Sequence, residues 1–302
     1  MTFKSIILAS LCVGLLAGCG DTINEARKAS EEAAKVAATS FNGVRLDEVL
    51  AMQDEKAKAR YDARNPAATL EFFGIAPGMT VVEALPGGGW YSKILLPYLG
   101  DEGHLVGVDY SLAMWPEFGG FATEEFIEGK KNWPSEWAAK AEDWRGGNNA
   151  KISAFAFGTR DASLDGTVDA VLFIRAMHNL ARFDAKGGYW GQALEDAHAL
   201  LKPGGIVGIV QHQGPETNED EWADGNNGYL KKSAVIARME AAGFTLAGES
   251  AINENAKDNP SNTDIVWRLP PSLGTSRDNP ELAAKMKEIG ESNRMTLLFK
   301  KN

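Results

Sequence analysis

From residue 80 onward, short apolar runs alternate with segments of helical periodicity. The runs predict strands at 80–84, 104–109, 151–157, 170–174, 206–211, 245–251 and 295–299, with helices at 91–99, 124–141, 189–201 and 230–242 between most of them. Strands joined in this way pair in parallel, because each helical connection crosses over the sheet and covers one of its faces. The pattern predicts an α/β fold: a doubly wound, mostly parallel, seven-stranded sheet. No convincing helical periodicity separates the last two runs, so an antiparallel last strand is expected. Ahead of the sheet, apolar positions at helical spacing over 46–73 predict two helices, broken at Asn65-Pro66. With 302 residues, 44% of them hydrophobic, the chain can fill one substantial core.

The first residues belong to a different kind of segment. One lysine, Lys4, precedes an apolar stretch of roughly a dozen residues, shorter than the ~20 that a spanning helix needs. It ends in Leu16-Ala17-Gly18-Cys19, which resembles the lipobox of bacterial lipoproteins. That resemblance implies a signal peptide over 1–18, acylation of Cys19 with palmitate-type chains, and a membrane anchor in the cell envelope. Gly20 stands where an aspartate would imply inner-membrane retention, so the outer membrane is the expected location. Residues 19–44, rich in Ala, Glu and Lys, are expected to form a tether, leaving 45–302 as the folded domain. Cys12 leaves with the signal, so no internal disulfide is expected. The formal charge of -10 would repel a phosphate backbone, which argues against a nucleic-acid partner.

The first strand runs into VVEALPGGGWYSKIL. In a doubly wound sheet, ligands bind beyond the carboxyl ends of the strands, and a turn without side chains lets backbone amides approach them. Gly87, Gly88 and Gly89 are the candidates for that turn. About twenty residues later Asp109 ends the second strand, where a carboxylate can accept ribose hydroxyls. The choice lies between a dinucleotide and S-adenosylmethionine. The glycines are contiguous and not spaced as G-x-G-x-x-G, and Glu83 would repel a pyrophosphate while attracting a sulfonium and an ammonium. LKPGG at 201–205 precedes the fifth strand.

On these residues the chain resembles the class I S-adenosylmethionine-dependent methyltransferases, whose fold is Rossmann-like. Within them it is similar to a bacterial group marked by PGGGWY, here 86–91, RLPPSL, here 268–273, and a closing NRMTLLF. The resemblance covers roughly 45–302 and implies S-adenosylmethionine as cofactor, with a small-molecule acceptor. The wider superfamily motif E-x-G-x-G-x-G has glycine where this chain has Leu85, and the adjacent proline suggests a different loop path there.

Methyl transfer needs alignment and, for a protonated nucleophile, a base. Arg175, His178 and Asn179 follow the fourth strand and His212 the fifth; His178 and His212 are the catalytic candidates. A metal held by them with Glu216 or Asp220 is the weaker reading. Phe157, Gly158 and Asp161 could meet adenine. An aromatic insert with Trp115, Trp133, Trp137 and Trp144 either caps the crevice or anchors helices to the core. The stretch 253–293 is expected to pack back over the crevice, bringing Trp267 and Arg268 near it. Two further function classes stay open: a non-catalytic ligand-binding lipoprotein that retains the fold, and a nicotinamide-dependent oxidoreductase.

Overall fold

The computed structural model describes residues 40–302. The expected signal segment 1–18, the lipidation candidate Cys19 and most of the tether lie outside the described residues. The compact unit begins at Ser40, and its first helix, Gly43–Ala51, is already tied to the domain. Asn42 caps it through its side chain, and the backbone N–H of Asn42 donates to the Tyr98 hydroxyl at 2.9 Å. Arg45 donates to the carbonyls of Pro97 and Tyr98, which end the helix Ser92–Leu99. A cation there satisfies acceptors that the last helical turn leaves open.

Eight strands form one sheet: β1 Thr80–Ala84, β2 His104–Asp109, β3 Lys151–Ala156, β4 Val168–Ile174, β5 Leu201–Gly214, β6 Leu230–Lys231, β7 Phe244–Ser250 and β8 Arg294–Lys301. The order is β3-β2-β1-β4-β5-β8-β7, with the two-residue β6 beside the end of β5. Pairing is parallel from β3 to β5, and β8 runs antiparallel between β5 and β7. The seven expected strands are all present and the last is antiparallel, as the sequence predicts. LKPGG does not precede β5, as expected, but forms its first residues, Leu201 pairing with Val168.

Successive strand residues face opposite sides of the sheet, and the two faces build two cores. Val82, Val106 and Phe173 meet helix Tyr189–Leu200 through Ala193, Leu194 and Ala197. Val81, Leu105 and Leu172 meet the Gly43–Ala51, Ser92–Leu99 and Trp133–Ala141 helices through Leu46, Ile94 and Trp137.

Three expectations need correction. The pair of helices over 46–73 is four short ones, Gly43–Ala51, Glu55–Lys58, Tyr61–Arg64 and Pro66–Phe72. The single helix expected over 124–141 is two, Glu124–Lys130 and Trp133–Ala141, the second opening on Pro134 where its missing N–H costs nothing. A helix, Pro280–Ile289, does lie between β7 and β8. None of its residues is fully buried, but Leu282, Ala283, Met286 and Ile289 form a half-buried apolar stripe at helical spacing, and the Asn279 cap and Pro280 mark its start, so its signal is present and sequence reasoning missed it.

The long connection from β7 to β8 folds back on the domain. Arg268 donates to the Tyr229 hydroxyl at 2.9 Å and to Asp258 at 2.8 Å, and Asp258 also accepts from Tyr229. All three are buried, so their charges and dipoles are satisfied by one another. This network holds residues 266–272 in place.

Candidate active site

The strand order reverses between β1 and β4, and a cavity of about 510 Å³ opens beyond their carboxyl ends. Glu83, Leu85, Gly87 and Gly88 line it from the β1 side, Ile174, Arg175 and His178 from β4, and His212 from β5. Residues 266–272, including Trp267, Leu269 and Pro270, close it from the β7–β8 connection, and Glu291 and Ser292 from just before β8.

The β1 turn has the conformation a bare ligand-facing loop needs. Leu85 takes φ 56 and Gly87 φ 54, both left-handed. The Leu85 N–H donates to the Val108 carbonyl at 2.7 Å, extending the β1–β2 ladder by one bond. Leu85 adopts a left-handed conformation that favours glycine, at the steric cost a Cβ carries there. Arg175, at the matching end of β4, does the same with φ 57. Gly87 and Gly88 are exposed, and a Cβ at Gly88 would meet nothing within 4 Å. Gly89 serves a different purpose. A Cβ there would lie 2.5 Å from the Trp144 ring, so this glycine seats an indole and does not line the cavity.

Glu83 is 3% exposed and accepts a hydrogen bond from Ser92 Oγ at 2.6 Å. Burial pushes its carboxyl up to about 7, against smaller opposing effects of the Ser92 bond and the Arg175 charge. His178 is buried, with Nδ1 3.5 Å from Gln211 Oε1, and its ring centre lies 5.5 Å from that of His212. His212 Nδ1 is 2.6 Å from Ser292 Oγ. Burial lowers His178 to about 4, and burial, His178 and nearby arginines lower His212 as well, so both imidazoles are neutral near pH 7. Two neutral histidines thus share one wall with a half-ionised carboxyl on another.

The structure brings Glu83, Gly87, Gly88, His178 and His212 to one cavity; it does not bring Asp109, Asp161 or Gly89 there. Asp109 is 8% exposed and has both oxygens engaged, one by the Tyr110 N–H and one by Lys130 Nζ, each at 2.9 Å. Burial raises its carboxyl in spite of those bonds. Lys130 also lies 4.1 Å from the centre of the Trp115 ring. Asp161 is exposed and caps the short turn Ala162–Leu164, where its bonds to Ser163 lower its carboxyl. Phe157 is buried and stacked on Phe173. Of the aromatic insert, Trp137 packs on Gly107 and Trp144 on Gly89, the anchoring alternative, while Trp115, Phe118 and Phe126 gather around Lys130 and Tyr110. None of these rings lines the cavity. The segment 266–272 closes it instead, with Trp267 on the wall as expected and Arg268 turned into the buried network. Glu216 accepts from Ser233, and Asp220 pairs with Lys231. Among the described residues no group of three or more His, Cys, Asp and Glu could hold a metal.

Sequence reasoning placed Arg175 after the fourth strand but missed Arg60, Arg64 and Arg294, which join it around a buried acid. Arg60, Arg64, Arg175 and Arg294 surround the buried Glu291, at 2.7 Å from Arg60 Nε, 3.3 Å from Arg64 and from Arg294, and 3.8 Å from Arg175. Arg64 also stacks its guanidinium 4.7 Å over Trp90, whose buried indole N–H has no partner among the described residues. Arg60 and Arg64 precede the sheet, Arg175 follows β4, and Glu291 and Arg294 lie at β8, so no local spacing announces the cluster.

No family model matches the chain, and no curated protein does. Solved structures do. A SAM dependent methyltransferase from Aquifex aeolicus is 18% identical, with a TM-score of 0.46, covering 70% of this chain and 94% of that one. The Burkholderia thailandensis 1,6-didemethyltoxoflavin-N1-methyltransferase, with bound S-adenosylhomocysteine, is 16% identical, with a TM-score of 0.44, covering 97% of this chain and 94% of that one. The cyclase SpnF is 15% identical, with a TM-score of 0.47, covering 79% of this chain and 80% of that one.

Proposed function

We propose that the protein is an S-adenosylmethionine-dependent methyltransferase acting on a small-molecule acceptor in the cavity between β1 and β4. The observation that carries this reading is the bared Gly87-Gly88 backbone beside buried Glu83, facing two neutral histidines at the point where strand order reverses. The residues present fit the methionine half of such a ligand. Glu83 ionises readily when a cation arrives, because its raised value reflects burial that a positive neighbour offsets.

When bound, S-adenosylmethionine supplies an electrophilic methyl group on a sulfonium. The chain's own part is to align and to manage a proton. His178, neutral and buried, can accept a hydrogen bond from the nucleophile. A weak base suffices there, since the nucleophile's proton becomes strongly acidic as its lone pair is committed to carbon. Residues 266–272 close the cavity and limit water.

A second reading is favoured by one observation. Asp109, the expected ribose partner, is held by Lys130 and does not reach the cavity. On that reading the protein is a non-catalytic binding lipoprotein that keeps the fold. Calorimetric titration of the full chain in detergent with S-adenosylmethionine and S-adenosylhomocysteine, with NADH as control, separates the two. Micromolar binding that falls about 10- to 100-fold in Asp109→Ala supports the enzyme. No binding by a protein with an intact melting transition transfers the site to another ligand, and NADH binding alone would revive the oxidoreductase.

Location belongs to the same proposal. The lipobox-like Leu16 to Cys19 supports a lipid-anchored protein of the bacterial envelope, at the outer membrane. Incorporation of labelled palmitate that Cys19→Ser abolishes is the expected result; unchanged processing of that variant removes the anchor from the proposal.

A further inference from the structure

The arginine cluster is not accounted for by its single acid. Among the described residues, Glu291 is the one carboxylate in ion-pair contact with Arg60, Arg64, Arg175 and Arg294. Four guanidiniums around one carboxylate leave three positive charges without a close partner. Crowding of like charges in a buried place is unfavourable, and it shows in Arg64, which burial and then Arg175 lower to about 10. A fold maintains such a group at a cost unless an anion joins it.

The four differ in how far they are engaged. Arg60 is bonded to Glu291 through two nitrogens, and Arg294 also donates to the carbonyls of Ser292 and Ala63. Arg175 donates no hydrogen bond from its side chain to any described residue, and its nearest acid is 3.8 Å away. It lines the cavity with Arg64, and it is carried on a left-handed residue at the end of β4, a backbone arrangement kept where the surroundings enforce it. The planar guanidinium fork matches a carboxylate or phosphate bidentately. The rest of the wall includes Trp90, Trp267, Leu269 and Pro270, which suit an apolar or planar body.

We propose that the methyl acceptor carries an acid group, a carboxylate or phosphate on an apolar or planar body, and that Arg175 and Arg64 hold that acid inside the cavity. The term acceptor rests on the methyl-transfer reading; the acid site does not. The same chemistry has a second source, the carboxylate of the cofactor's own methionine part, and the experiment has to tell them apart.

The test titrates the full chain in detergent with benzoate, phenyl phosphate and, as a neutral isostere, benzyl alcohol, each with and without saturating S-adenosylhomocysteine. The acid probes should bind about tenfold or more tightly than the alcohol, alongside S-adenosylhomocysteine, and Arg175→Met should erase the preference while leaving alcohol binding unchanged. The wild-type comparison of acid with alcohol needs no variant to fold, and Arg175→Lys should keep part of the preference as a point charge without the fork. Equal binding of acid and alcohol, or a preference that survives in folded Arg175→Met, overturns the proposal whatever S-adenosylmethionine does. Acid probes that S-adenosylhomocysteine displaces, with Arg175→Met weakening S-adenosylmethionine but not its decarboxylated analogue, assign the arginines to the cofactor and also overturn it. An acid preference in a protein that binds neither S-adenosylmethionine nor S-adenosylhomocysteine keeps the acid site and discards methyl transfer.

Discussion

Replacing Glu83 by glutamine tests the electrostatics of the cavity with a change of almost no volume. The carboxyl is buried, its ordinary value is 4.5, and burial raises it to about 7. The folded protein therefore holds a proton that the unfolded chain has released. Stability from this group is fully present below the unfolded value and is lost as pH rises toward the folded one. Between pH near 5 and pH near 8 the loss amounts to roughly 2.5 kcal/mol, from 1.36 kcal/mol per unit of separation. The histidines act in the opposite sense, since His178, lowered to about 4, contributes stability that is lost as pH falls below 6.5. Urea unfolding of both proteins at several pH values isolates Glu83 in the difference. Glu83→Gln keeps an acceptor for Ser92, so the two should be nearly equal near pH 5, with the variant more stable by about 2.5 kcal/mol near pH 8. Parallel pH profiles for the two proteins would refute a proton held at Glu83.

Three other outcomes are expected. Lys130→Met keeps an apolar stem against Trp115 but releases Asp109, and S-adenosylmethionine should then bind about tenfold more tightly by calorimetry, since the wild-type protein must first break a charge-assisted bond; unchanged affinity would mean that Asp109 takes no part. Gly89→Ala forces a methyl to within 2.5 Å of Trp144 at φ 76 and should cost about 2 kcal/mol or more in denaturant unfolding, whereas Gly88→Ala should cost less than half of that. Arg268→Met strands the buried Asp258 and should lower stability by about 3 to 5 kcal/mol, measured by urea unfolding with far-UV circular dichroism.

The sheet was legible because its signal is local. Each strand from β1 to β5 declares itself by a run of β-branched and aromatic residues, and the glycine turn and Glu83 stand within a few residues of each other. His178 and His212 were legible for the same reason, since His178 stands just after β4 and His212 near the end of β5, strands that the topology makes adjacent. The failures are non-local. Nothing near Asp109 in the sequence says that Lys130, 21 residues on, returns to pair with it. Gly89 looks like its two neighbours, and only the position of Trp144 separates its purpose from theirs. Arg60 and Glu291 are 231 positions apart, and their meeting depends on the β5–β8 pairing that closes the sheet.

That last separation has a kinetic consequence. The arginine-lined wall joins the chain's first described helices to residues next to β8, and β8 pairs with β5 across a long loop, Ile206 opposite Lys300. Contacts of such high order carry a large loop-closure cost and slow folding. The cavity is complete only when distant parts of the described chain have met, so its occupancy reports on completion of the whole domain. A ligand that bridges Arg64 and Arg175 would tie the closing strand down by mass action. Its signature would be slowed amide exchange along β8, far from any atom the ligand touches.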